Sequence, residues 1–118
     1  MANIEALVIE WLGTVVSDYP VSGDKPTKPP EKFILVDRTG GAREAMVLDR
    51  AEILIEVYHK TSRLNASEKA NEIADRIVEL EAYDHNITHA DINSVVSLDD
   101  TQSQYHRYQI YCDVYHRR

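Results

Sequence analysis

The chain predicts an α+β fold: a mostly antiparallel sheet of four to five strands with two helices packed on one face, in the order helix, strands, helix, strands. Three stretches carry that expectation. Residues 4–15 repeat apolar side chains at three- and four-residue steps, 51–59 alternate apolar and polar side chains, and 66–81 return to the helical step. The 118 residues suit one domain spanning 1–118, with enough chain to bury a core without disulfides or metal.

In the first helix Asn3 supplies a cap, and Ile4, Leu7, Val8, Trp11, Leu12 and Val15 form one apolar stripe. Residues 18–30 change character. Pro20, Gly23, Pro26, Pro29 and Pro30 deny backbone donors and disfavour helix, so this is a long loop, with a short strand near 19–21. Residues 32–38 read as a strand, with Phe33, Leu35 and Asp37 on one side and Ile34 and Val36 on the other. Gly40-Gly41 then suggests a two-residue hairpin turn, followed by a return strand from Arg43 that carries Met46 and Leu48. Asp49 and Arg50 interrupt the pattern as a bulge would.

Along 51–59, Ile53, Ile55 and Val57 face one side; Glu52, Leu54, Glu56 and Tyr58 face the other. A sheet face that mixes Leu and Tyr with acids suits a partly covered surface or a subunit contact. In the second helix, capped by Asn65 or Ser67, the stripe is Ala66, Ala70, Ile73, Ala74, Ile77 and Val78, with Glu72 and Arg76 spaced as an ion pair. Strands at 87–97 and 104–116 end the chain, joined by a turn bearing Asp99 and Asp100. In the last strand Tyr108, Ile110, Cys112 and Val114 face the core, and Arg107, Gln109, Tyr111, Asp113 and Tyr115 face away.

Composition narrows the chemistry. A net charge of −7 opposes gripping of phosphate backbones, so no specific nucleic-acid binding is expected. Between Arg76 and Arg107 there is no Lys or Arg, while Glu79, Glu81, Asp84, Asp91, Asp99 and Asp100 all fall there. The single cysteine, Cys112, forms no intramolecular disulfide and reads as a small buried hydrophobe. No leader pattern and no apolar run near the roughly 20 residues of a membrane span appear, so cytoplasmic synthesis without a membrane is expected. His85 and His89, flanked by Asp84 and Asp91, have metal-like spacing, but they sit where a loop enters a strand, and no metal is expected. No nucleophile elbow, phosphate loop or carboxylate in an apolar setting is present, so neither a catalytic site nor a cofactor is expected.

Several runs together resemble the tail terminator (tail-completion, head–tail joining) proteins of long-tailed bacteriophages and prophages. An amphipathic helix precedes a strand ending Asp37-Arg38-Thr39-Gly40-Gly41. Then come Val47-Leu48-Asp49-Arg50-Ala51 and Ile53-Leu54-Ile55-Glu56-Val57-Tyr58, an alanine-rich helix, and a closing strand with Tyr108-Gln109-Ile110. Residues 83–104 depart from the pattern. The resemblance implies a non-enzymatic subunit forming a ring, commonly a hexamer, that caps the tail tube, ends its polymerisation and offers the head-joining surface. Its partners would be further copies, the major tail protein and head–tail connectors, in the bacterial cytoplasm during assembly and then in the virion tail. The six acids of the window without Lys or Arg would line the lumen through which DNA passes. Pro26, Pro29, Pro30, Glu52, Leu54, Glu56, Tyr58, Tyr111 and Tyr115 are the expected protein contacts. The alternative is a small dimeric α+β binding or regulatory domain of bacterial origin.

Overall fold

Asn3 opens the first helix, α1 (Ile4–Val15), its Oδ1 accepting from the Ala6 amide at 3.0 Å. The computed structural model describes residues 3–102 and 104–117. Ile4, Leu7, Val8, Trp11 and Leu12 are the buried positions of α1, the stripe expected from their spacing, and Val15 lies half-buried at its margin. Each such side chain contributes about 1.5–3 kcal/mol on full burial. A short strand, β1 (Val21–Ser22), follows Pro20 and runs parallel to Ile34 and Leu35 of β2 (Lys32–Ala45).

β2 and β3 (Leu48–His59) form a long antiparallel hairpin, and its turn is not where the glycines suggested. Gly40 and Gly41 stay inside β2, opposite Glu52 and Ala51, and neither has a positive φ. The turn falls on Met46 and Val47, between the paired Ala45 and Leu48, so Met46 is 90% exposed at a tip instead of lying on a return strand. Gly41 serves close approach: a Cβ there would stand 2.5 Å from the Arg50 carbonyl oxygen. The bulges also differ from expectation. The extra residues sit on β2, Thr39 opposite the Glu52–Ile53 step and Glu44 opposite the Leu48–Asp49 step, and not at Asp49–Arg50 itself.

The second helix, α2 (Arg63–Arg76), is capped by Ser62, whose hydroxyl accepts from the Asn65 amide at 3.0 Å. Asn65 and Ser67, expected as caps, therefore lie inside the helix. The continuous helix expected over 66–81 is α2, a 3-10 turn (Ile77–Glu79) and a single helical turn, α3 (Leu80–Tyr83). Tightening at Ile77 keeps Ile77 and Leu80 buried and turns Val78 outward, at 57% exposure. Arg76 consequently pairs with Glu79 at 2.8 Å, and Glu72 pairs with Lys69 at 2.7 Å.

β4 (Ile87–Ser97) and β5 (His106–Arg117) complete a five-stranded sheet in the order β1-β2-β3-β5-β4, antiparallel except at β1–β2. Ile34, Val36, Ile53, Ile55, Val57, Ile110, Cys112 and Val114 turn to one face and form the main core with α1 and α2. Burial pushes the Cys112 thiol up to about 12, which holds it as an inert hydrophobe. Among the described residues no helix is long and apolar enough to cross a membrane.

Candidate functional site

The face of the sheet away from the helices carries the residues that composition singled out. Cross-strand partners define its rows: Phe33, Tyr58 and Arg107; Leu35, Glu56, Gln109 and Val96; Asp37, Leu54, Tyr111 and Ser94; Glu52, Asp113 and Asp91; Arg50, Tyr115 and His89. Period-two alternation in β3 and β5 puts them there, because the intervening residues are the core.

One end of this face is covered. Phe33 stacks on Tyr58 with ring centroids 4.5 Å apart, and Tyr105 meets Phe33 edge-on at 5.5 Å, giving a small second core. The Pro-rich loop closes over it, the Tyr105 hydroxyl donating to the Pro30 carbonyl at 2.7 Å. Lys25 lies 6.0 Å from the Tyr58 ring centroid and 3.5 Å from Asp100. Tyr58, expected at a partner contact, is therefore 3% exposed and spends its surface within the chain. Burial raises its hydroxyl above the ordinary tyrosine value, while the hydrogen bond from Arg107 acts in the opposite direction.

Beyond that cap the face is open. Tyr111 is exposed, and Glu52, Leu54, Glu56 and Tyr115 are half-buried. A polar chain crosses its centre. The Tyr111 hydroxyl donates to Gln109 Oε1 at 3.2 Å, and Gln109 Nε2 donates to Glu56 Oε2 at 3.1 Å. Arg107 Nη1 stands 3.5 Å from the same carboxylate oxygen. Two rows beyond Tyr111, Arg50 reaches Glu44 at 2.7 Å, Glu52 at 3.0 Å and Asp113 at 3.5 Å. Asp113 Oδ1 is buried and has no hydrogen-bond partner among the described residues. Beside it runs a groove of about 220 Å³, lined by Thr39, Glu52, Asn93, Tyr111 and Asp113. Arg50 and Asp113 were missed as site residues, although the alternate spacing 50, 52, 54, 56, 58 already placed Arg50 on this face.

Pro26 and Pro29 are half-buried and Pro30 exposed, on the loop that caps the aromatic end. The six acids are spread over the helical layer, β4 and the turn after it, and most are neutralised locally. Glu79 pairs with Arg76, Asp99 with Arg63, and Asp100 with Lys25. The gap in basic residues along the sequence is thus filled in space by Lys25, Arg63 and Arg76. Asp84 accepts from the Asn86 amide at 2.8 Å. Glu81 and Asp91 flank His89, at 2.9 Å from Nδ1 and 2.8 Å from Nε2.

His85 belongs to no metal-binding group among the described residues. His89 is held by its two carboxylates, and among the described residues no group of three His, Cys, Asp or Glu side chains is placed to hold a metal ion. A second cavity, of about 420 Å³, opens between α2 and the start of β2, with Asp18, Tyr19, Lys32, His59 and Lys69 on its walls. Lys69 is balanced there by Asp18 at 3.1 Å and Glu72 at 2.7 Å. His59 Nδ1 accepts the Ser62 amide at 3.0 Å, a structural duty at the start of α2. The chain matches no protein-family model and no curated protein.

Proposed function

We propose that the chain is a non-enzymatic, self-assembling structural subunit: the tail terminator of a long-tailed phage or prophage, working as a ring that caps the tail tube. The observation that carries this is the open sheet face. It combines Leu54, Tyr111 and Tyr115 with a surplus of carboxylates, in a molecule whose other sheet face is already covered by its own helices. A surface of that composition suits a protein contact, where tyrosine and arginine are enriched and water is only partly displaced. The order of elements and the local runs that resemble tail terminators supply the biological setting.

In that setting copies contact one another head to tail, the major tail protein binds one rim of the ring, and head–tail connectors bind the other. Five of the six acids expected at the lumen meet Lys25, Arg63, Arg76 or His89, so in this reading the lumen is only weakly negative, and DNA slides for want of free basic side chains to grip it. Assembly takes place in the bacterial cytoplasm and the ring ends in the virion tail.

The test is deletion of the gene from the element that encodes it, followed by electron microscopy of the lysate. Tails of uncontrolled length without heads are expected. Normal tails joined to heads would overturn the proposal. A stable dimer in solution, together with normal tails, would point to the dimeric binding or regulatory domain instead.

A further inference from the structure

The Pro-rich loop has a chemical counterpart on the open face. Lys28 lies exposed between Pro26 and Pro29 and has no ion-pair partner among the described residues. Glu52 and Asp113 line the groove beside Tyr111, with Asp91 directly across from Asp113, and among the described residues Arg50 is the one guanidinium that reaches both groove carboxylates. A second cation, an ammonium group, would complete the charge balance that Arg50 begins.

The chain already contains a precedent for this pairing. Lys25, from the same loop, sits over the Tyr58 ring and beside Asp100, on the capped end of the same face. Proline rings set against tyrosines, with lysines flanked by acids, also follow the chemistry by which extended Pro-rich segments are recognised on aromatic surfaces.

Two further facts select the occupant. Face-to-face stacking of two copies would oppose Glu52, Asp91 and Asp113 with like charges, so a symmetric pairing through this face is disfavoured. The loop is tied by Tyr105 over the Tyr58 row, six residues along β3 from Glu52, or about 20 Å at the strand rise, so a copy's own loop does not serve its own groove. The two halves lie apart on one molecule, the arrangement of a heterologous contact that propagates and then closes.

We propose that Lys28 of one copy seats in the Glu52–Tyr111–Asp113 groove of the next, its flanking prolines lying against Tyr111 and Tyr115. The contact rests on the self-assembling role proposed above and names the surfaces that form the ring.

The experiment mixes isotope-labelled and unlabelled full-length chain, joins amines to carboxylates with a zero-length carbodiimide, and maps the linked peptides by mass spectrometry. Links from Lys28 to Glu52, Asp91 or Asp113 between labelled and unlabelled copies are expected. K28E is expected to weaken association, read by sedimentation, at least tenfold, and D91K placed in the K28E chain should recover most of it. Lys28 is exposed, so the fold of K28E is confirmed by unchanged circular dichroism. Lys28 links confined to one copy, association of K28E equal to the parent, or a parent that stays monomeric at every concentration would each overturn the contact. If K28E still ends tail growth at normal length, the contact fails and the terminator role stands. If copies link through Lys28 while gene deletion leaves tails normal, the contact stands and that role fails.

Discussion

Tyr105 and Pro30, 75 residues apart in sequence, are joined by a hydrogen bond of 2.7 Å from the phenol to the proline carbonyl. That bond fastens the Pro-rich loop over the stacked Phe33 and Tyr58. Tyr105→Phe keeps the ring and removes the donor, so a stability loss of about 1 kcal/mol in urea unfolding is expected. Amide exchange in residues 23–31 should quicken with it. Exchange unchanged from the parent would show that the loop is held by other contacts.

Trp11 is the largest side chain that is almost fully buried, at 1% exposure, and it anchors α1 to the sheet. Trp11→Ala should cost about 3–5 kcal/mol, measured as a shift in denaturant midpoint, because the surrounding core closes only partly over the space. A loss below about 1 kcal/mol would mean that α1 repacks.

The two glycines of β2 separate by what their Cβ would meet. On Gly40 it would lie 2.5 Å from Glu52 Oε2, the movable end of a side chain; on Gly41 the near atom is the Arg50 carbonyl oxygen, which is backbone. Gly41→Ala should therefore destabilise by about 1–3 kcal/mol, as forced overpacking does, while Gly40→Ala stays within about 0.5 kcal/mol. Thermal unfolding of the two variants side by side decides this, and equal losses would refute the distinction.

How far sequence predicts structure is well illustrated by this hairpin. Helix α1 and the inward faces of β3 and β5 were legible because burial on one side imposes a clean period on the chain. The hairpin turn was not. Met46-Val47 carries none of the residues that favour tight turns, whereas Gly-Gly does, and tight packing against the Arg50 backbone leaves the same mark as a turn. In β4 the extra residues Thr88 and Asn93 break the alternation, so Ile87 and Ala90, three apart, share the inward face. The contact residues were readable as a mixed face, but Tyr58 is hidden by Tyr105, and the expected turn at Asp99 and Asp100 carries no local sign that Tyr105 folds back onto that ring.

His89 presents both ring nitrogens to carboxylates, an arrangement only the doubly protonated ring satisfies. The hydrogen bond to Asp91 and then that to Glu81 raise its pKa above the ordinary 6.5. A raised value in the folded state means that the stabilisation is complete below the unfolded pKa and is lost as pH climbs through the folded one. Stability followed from about pH 6.5 upward should thus decline more steeply in the parent than in His89→Gln. An imidazole NMR titration midpoint at or below the ordinary histidine value would exclude the clamp.

Cys112 should be silent toward a thiol reagent in the folded protein, since burial pushes its thiol up to about 12 and only the thiolate reacts. Labelling should rise with denaturant in step with unfolding; prompt reaction of the native chain would contradict this.

The extra residues at Thr39, Glu44, Thr88 and Asn93 all fall on β2 and β4, the strands whose outer sides are largely or wholly unpaired. Each one breaks the regular spacing of outward amides and carbonyls, so an incoming strand finds no long, in-register template to zip onto. Copies can therefore accumulate side by side at high concentration without seeding cross-β fibrils. The backbone itself acts as a brake on runaway growth, and the choice of neighbour is left to side chains.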